Sequence, residues 1–193
     1  QCARGKQRET AITACLYIAC RAENVPRTLQ EFANIAGGDK KTIAKMFKTL
    51  ASHLDIQTFT LRPEQLVPRY CSILGITDSV VDACRRTIER ATELGVCTGL
   101  SPQSVCGATI CCLCDVIKRP VSTEEVAKVV LCSAKTLKNV GQQLCPYLEL
   151  CIPEWFKDEV AAAGGTLLRV NTVDWSKPKP APSTPTEPIL AAS

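Results

Sequence analysis

The sequence predicts an all-α protein in which one helical unit occurs twice in tandem. Apolar residues recur at the three- and four-residue spacing of buried helix faces through most of the chain. A shift of 94 residues lays 7–54 on 101–148 without a gap and gives nine identities. The same helix-start signal, a Ser or Thr followed three residues later by Glu, stands at Thr28 and at the equivalent Ser122. Together these observations indicate a duplication.

Each copy is predicted to hold three helices. They span 8–22, 28–36 and 39–53 in the first copy and 102–117, 122–131 and 133–145 in the second. The first helix of each copy is apolar on most faces, which predicts a central and buried position, and the second is short and amphipathic. The third follows a tight turn and carries lysines in its first turns. This pattern is typical of a helix-turn-helix whose later helix enters the DNA major groove.

Two more helices are predicted between the copies, over 63–74 and 77–95. Pro63 at a first-turn position and Thr77 as a cap mark their starts. The second unit therefore has five helices, whereas the first has only the last three. We expect the missing pair upstream of Gln1, in a chain that is a fragment. Without that pair, the central helix of the first unit should expose an apolar patch.

The predicted organisation is a first repeat, a second repeat, a C-terminal extension and a disordered Pro-rich tail, over 1–55, 56–150, 151–175 and 176–193. Within the extension, 153–163 is predicted to be helical and 166–173 extended. Two interpretations stay open for Trp155 and Phe156, because the pair could anchor a partner or cover the open end of the second bundle.

Composition excludes several classes of protein. With 46% apolar and 22% charged residues, the chain has the ordinary balance of a globular protein. No stretch approaches the roughly 18 uninterrupted apolar residues of a membrane span, and the first residues lack the apolar core of a signal peptide. The thirteen cysteines are odd in number and fall mostly in apolar helical patterns. They indicate unpaired thiols and a reducing compartment, the cytosol or the nucleus.

No catalytic site is predicted. Cys111 and Cys114 form a C-x-x-C pair, but their apolar surroundings in mid-helix favour core packing over redox chemistry. His53 is the single histidine and lies at the end of a basic helix with no Cys at helical spacing, which favours a helix C-terminal role over a Cys–His hydrolase. The sequence has no nucleotide-binding or zinc-protease motif, so we expect no enzyme, no cofactor and no metal.

Positive charge is concentrated in the two copies. Residues 1–54 hold nine Lys and Arg against four Asp and Glu, and 101–148 hold five against three. A lysine cluster on a helix is often only a solvated face. Its recurrence in both copies strengthens the case for contact with DNA.

Several motifs resemble the transcription factor IIB family. In the first copy these are Ala14–Arg21, Val25–Thr28 with Glu31, Lys40–Lys41 and Phe47, and in the second Val67–Tyr70, Leu74–Gly75 and Ser101–Pro102 with Val105. The resemblance covers 1–150 and implies tandem cyclin-like five-helix repeats, the first lacking its two N-terminal helices here. It also implies a non-enzymatic general transcription initiation factor in the nucleus. The implied partners are the TATA-box-binding protein, double-stranded promoter DNA and RNA polymerase II, bound by a monomer without membrane contact.

The resemblance also implies roles for individual residues. The expected DNA contacts are Arg4, Gly5, Lys6, Lys135 and Lys138, and the expected contacts with the TATA-box-binding protein are Arg27, Lys40 and Lys41. Lys135 and Lys138 stand where the family uses a valine and an arginine to read an upstream promoter element, and Leu100 replaces another arginine. Lysine neutralises phosphates but lacks the fork geometry that selects bases. We therefore expect mainly electrostatic and shape-driven binding with little sequence selection.

Two alternatives stay open. A cyclin-like adaptor would bind a protein partner and no DNA, and the same fold hosts both roles. The related RNA polymerase III factor differs mainly outside this chain, and Ala14–Thr28 favours the polymerase II relative.

The family's N-terminal zinc ribbon has no counterpart in this sequence, because no Cys/His set has ribbon spacing.

Overall fold

The computed structural model describes residues 5–56, 59–76, 78–119 and 121–165, and these ranges contain helices and turns but no strand. The helices are α1 (Lys6–Ala22), α2 (Leu29–Ala36), α3 (Lys40–His53), α4 (Val67–Ile73), α5 (Asp78–Glu93), α6 (Pro102–Val116), α7 (Thr123–Val130), α8 (Ala134–Leu144), α9 (Leu148–Cys151) and α10 (Glu154–Ala162). None of the helices in the described ranges is long and apolar enough to cross a membrane. The predictions of an all-α fold and of three helices in each copy are confirmed.

The helix starts that revealed the repeat form as predicted. Thr28 accepts a hydrogen bond from the backbone N–H of Glu31 at 3.3 Å, and Ser122 accepts one from the N–H of Glu125 at 3.4 Å. Each bond satisfies an amide that the first helical turn leaves without an intrahelical partner, which stabilises the starts of α2 and α7. The duplicated signal in the sequence is thus a duplicated structural element.

The chain around Pro68 differs from the single helix predicted over 63–74. A 3-10 turn at Pro63–Gln65 comes first, and α4 begins only at Val67. Pro68 has no N–H to donate to the carbonyl four residues earlier, and its ring crowds that carbonyl. An α-helix therefore cannot run continuously through this point.

The C-terminal segment packs onto the second repeat. Phe156 and Val160 of α10 are buried in the same apolar cluster as the central helix α6. Phe156 is fully buried while Trp155 keeps 41% of its surface exposed, which supports the interpretation that the aromatic pair covers the end of the second bundle. The predicted cap, extended segment and tail, at Thr77, 166–173 and 176–193, lie outside the described residues.

Each repeat has its own core within the described residues. In the first repeat, Ala14 of α1, Ala33 of α2 and Ile43 of α3 are buried together. In the second, a much larger apolar cluster draws on every helix from α4 to α10. Because no buried apolar residue belongs to both clusters, the two repeats are separate packing units.

The two central helices differ in how far they are covered. Ile12 and Leu16 of α1 are 51% and 55% exposed, whereas their equivalents in α6, Cys106 and Ile110, are fully buried. In the second repeat, α4 and α5 pack over α6. In the first, the extensive contacts of α1 among the described residues are with α2 and α3. The predicted apolar patch on the first central helix is therefore present.

This difference predicts unequal costs for matched substitutions. Leu16→Ala should lower the free energy of unfolding by less than about 1 kcal/mol, because the side chain is half in water already. Ile110→Ala removes a fully buried side chain at the equivalent position and should cost about 2–5 kcal/mol. Urea denaturation of both variants measures the difference, and equal losses would contradict an open face on α1.

Candidate nucleic-acid and partner interface

A helix-turn-helix forms in each repeat from its second and third helices. Gly37 ends α2 with φ 60°, and the equivalent Leu131 ends α7 with φ 56°. Glycine adopts this left-handed conformation readily, whereas a leucine is strained there. The turn at Leu131 keeps the geometry of the turn at Gly37 despite this strain. The packing of the two helices therefore determines the turn conformation, and the identity of the turn residue does not.

Capped helix starts place equivalent lysines in the first turn of α3 and of α8. Asp39 accepts a hydrogen bond from the amide three residues on at 2.9 Å, and Ser133 does so at 3.0 Å. Lys41 and Lys135 follow two residues after these caps and are exposed. A lysine in the first turn opposes the helix dipole, so these charges do not stabilise the helix itself. Their position suits an anionic partner.

Lys40 at the start of α3 has an electrostatic effect on Cys132, in the turn before α8. Burial raises the pKa of the Cys132 thiol in that turn, and a hydrogen bond with Gln103 and the positive charge of Lys40 oppose the rise. An effect of this kind requires the Lys40 ammonium to lie near Cys132. Lys40 is exposed and Lys138 half-buried. The Lys40 charge therefore acts on the surroundings of Cys132 while Lys40 itself stays open to solvent.

The expected downstream DNA contacts lie at the start of α1. Gly5 precedes the helix with φ 57°, a conformation that favours glycine. Lys6 is the first residue of α1, and its side chain lies outside the described part of the chain, as does Arg4. For Gly5 and Lys6 the structure gives the backbone position, whereas Arg4 lies outside the described residues altogether.

Arg27 lies in the connection between α1 and α2, apart from the lysines of α3. Its Nη1 atom is 3.8 Å from Oε2 of Glu31, and its side chain is 46% exposed. An ion pair this open to water contributes little stability, so the guanidinium remains available to a partner. Arg27 precedes α2 while Lys40 and Lys41 follow it, so these residues lie at opposite ends of this helix.

Glu31 joins the two repeats. Its carboxylate accepts hydrogen bonds from both terminal nitrogens of Arg69 in α4, from Nη1 to Oε2 at 2.9 Å and from Nη2 to Oε1 at 2.6 Å. The hydroxyl groups of Thr28 and Tyr70 donate to Oε1 at 3.0 and 3.3 Å. The sequence pattern identified Glu31 only as part of a helix start. It did not reveal Arg69 as a partner, because a contact between residues 38 positions apart leaves no periodic signal.

The Glu31 carboxylate is held in its ionised form. Burial alone raises the pKa of Glu31, but the hydrogen bonds and charge of Arg69, with the hydroxyls of Thr28 and Tyr70, outweigh burial and leave that pKa below its usual value. Burial, and next the Glu31 charge, raises the pKa of Tyr70, so its hydroxyl keeps the proton that it donates. The pair of Glu31 and Arg69 is therefore charged at neutral pH.

Acid should weaken this contact. Because the folded-state pKa of Glu31 is lowered, its contribution is complete above the pKa of the unfolded chain, about 4.3, and is lost as the pH falls through the lower folded-state value. Glu31→Gln should therefore make the free energy of unfolding less dependent on pH in the acid range.

Urea denaturation at a series of pH values from neutral to acid measures this loss. Glu125→Gln is the matched control, since Glu125 occupies the equivalent position and is exposed. It should keep the pH dependence of the unmodified chain. The same slope for Glu31→Gln and the unmodified chain would contradict the role of Glu31.

The cysteine positions agree with core packing, and the histidine position agrees with a role at a helix C-terminus. Cys111 and Cys114 are buried in the core around α6, and His53 is exposed in the last turn of α3. Among the described residues, no group of three or more His, Cys, Asp or Glu side chains is arranged to hold a metal ion.

Comparison with known proteins identifies a repeat family. The family model that matches is described as the transcription factor TFIIB repeat, and it covers residues 1–53 and 56–145. The two matches fall on the two halves that the internal duplication relates.

Individual relatives agree with the family match. Transcription initiation factor IIB 3 of Halobacterium salinarum is 32% identical over 140 residues, 72% of this chain and 44% of the relative. Transcription initiation factor IIB-2 of Arabidopsis thaliana is 31% identical over 165 residues, 81% and 52% of the two chains. Transcription initiation factor IIB 1 of Thermococcus kodakarensis is 33% identical over 154 residues, which are 78% of this chain and 51% of the relative. The chain spans about half the length of these relatives.

The duplicated helix-turn-helix, the family match across both repeats and these relatives agree. The chain belongs to the transcription factor IIB family, whose members are transcription factors and not enzymes.

Proposed function

We propose that this chain forms the core of a general transcription initiation factor that binds a TATA-box-binding protein on promoter DNA. Family membership and the names of the relatives support the proposal. The observation that carries it is the pair of helix-turn-helix units whose capped helix starts expose Lys41 and Lys135 at equivalent positions. Exposed cations at such helix starts suit the phosphate backbone of DNA and acidic protein surfaces.

The second repeat would contact the DNA backbone upstream. Lys135 and Lys138 lie three residues apart on α8, so their side chains project from the same helix face. A lysine acts on phosphates as a point charge, so counterion release should dominate the affinity and base selection should be small. Arg4, Gly5 and Lys6 would add backbone contacts downstream.

The first repeat would hold the TATA-box-binding protein. Lys40 and Lys41 are exposed at the start of α3, and Arg27 is exposed before the start of α2. Because these residues lie at opposite ends of α2, they would contact separate parts of the partner. Acidic side chains or backbone carbonyls on the partner would complement them.

The proposal extends to a bridge to RNA polymerase II in the nucleus. This part rests on the resemblance at Ala14–Thr28, which favours the polymerase II factor over its polymerase III relative. The bridge is a proposal about the whole protein, because this chain covers about half the length of its relatives.

The chain should join a complex of TATA-box-binding protein with promoter DNA. When the chain is added to that preformed complex, the fluorescence anisotropy of a labelled duplex should rise above the value for the complex. The rise should be smaller when the chain is added to DNA alone, because the contacts are divided between protein and DNA. No further rise, even at low salt, would contradict the proposed function. Capture of the TATA-box-binding protein with no contribution from DNA would instead favour a protein adaptor.

Removing the lysines of α8 should weaken DNA binding without changing sequence preference. Lys135→Ala with Lys138→Ala should lower the slope of log affinity against log salt by about 1 for each phosphate that is no longer neutralised. The control is Arg85→Ala with Arg86→Ala, which removes the same charge from exposed positions on α5, outside the helix-turn-helix. An equal fall in slope for both variants would contradict a specific role for α8.

A further inference from the structure

Several hydrogen bonds connect the two repeats, beside a small pocket that Val25 and Pro26 line together with Phe59 and Leu61. Arg69 of the second repeat binds Glu31 of the first, and Nε2 of Gln65 donates to Oδ1 of Asn24 at 3.1 Å. In the connection between the repeats, the backbone N–H of Phe59 donates to the carbonyl oxygen of Arg21 at 3.2 Å. No buried apolar residue belongs to both cores, so within the described residues these hydrogen bonds are the directional contacts between the repeats.

The bond between Glu31 and Arg69 is the most directional of these contacts. A bidentate pair holds the carboxylate and the guanidinium in fixed relative geometry, which a single hydrogen bond does not. The side chains are only 14% and 25% exposed, so water competes weakly for them. Nε of Arg69 is buried and has no hydrogen-bond partner among the described residues, so Glu31 and the Tyr70 ring, 4.9 Å from the guanidinium carbon, are the groups that face its charge.

The equivalent residue in the second repeat has no such bond in the described part of the chain. Glu125 stands at the same place in its helix start as Glu31, yet its side chain is exposed. The helix start alone therefore does not require an ion pair with another helix. The bond to Arg69 is an addition at Glu31 that serves the joint between the repeats.

We propose that Glu31 and Arg69 are positioning residues that fix the angle between the two repeats, so that the lysines of α3 and α8 form one surface for the complex of TATA-box-binding protein and DNA. Lys41 and Lys135 are exposed at equivalent capped helix starts, so a fixed angle would hold both charges in one arrangement. A fixed angle matters because a surface divided between two freely moving units must be ordered on binding, which lowers affinity. The inference rests on the proposed function for its binding partner but not for the geometry of the joint.

Residual dipolar couplings of backbone amides test the angle directly. In the full chain, the helices of both repeats should fit one alignment tensor, and the control Glu125→Gln should not change this. Arg69→Gln should require two tensors, because it breaks the joint without altering the helix start of α2. Glu31→Gln removes the charge and leaves one acceptor oxygen, so it abolishes the bidentate ion pair from the other side and should do likewise.

Affinity for the TATA-box-binding protein on promoter DNA is the second readout. Arg69→Gln and Glu31→Gln should weaken it by about five- to twentyfold through loss of preorganisation, with Glu125→Gln unchanged. Arg69→Lys keeps the positive charge but loses the bidentate geometry of the guanidinium. Its affinity should therefore lie between those of the unmodified chain and Arg69→Gln.

The outcomes separate the two proposals. One shared tensor in both Arg69→Gln and Glu31→Gln would overturn the positioning role, and so would two tensors with unchanged affinity. Failure of the unmodified chain to bind would contradict the proposed function. In that case the tensors alone decide whether Glu31 and Arg69 fix the joint.

Discussion

The ion pair between Glu31 and Arg69 is the interaction on which the arrangement of the two repeats depends. Each repeat buries its own apolar cluster, so the hydrophobic effect stabilises the units separately and does not by itself orient them. The carboxylate of Glu31 binds the hydroxyl of Thr28 at the start of α2 and the guanidinium of Arg69 in α4. One side chain therefore links the start of a helix in the first repeat to a helix in the second.

Duplication followed by divergence explains the differences between the repeats. Equivalent positions keep the same backbone, as at Gly37 and Leu131, even where the side chain is poorly suited to it. The surroundings of those positions differ: α6 is covered along its length, whereas α1 presents Ile12 and Leu16 to solvent. A shared fold thus accommodates different neighbours.

Local patterns in the sequence predicted most of the fold. Helix periodicity and the caps at Thr28 and Ser122 depend on neighbouring residues, so the sequence displays them directly. The four-residue α9 is too short for a periodic pattern, and the joint between Glu31 and Arg69 depends on residues far apart in the chain. For the candidate site, the sequence placed the lysines at helix starts, but their DNA and protein partners stay predictions because no periodicity specifies a partner.

Photocrosslinking from the two equivalent helix starts tests most directly whether both repeats face one complex. A photoreactive amino acid would replace Lys41, Lys135 or, as a control on α5, the exposed Glu89. In the complex of TATA-box-binding protein with promoter DNA, position 41 should crosslink to the protein and position 135 to DNA, while position 89 crosslinks to neither. Crosslinks from only one of the two helix starts, or equally from position 89, would contradict a single surface formed by both repeats.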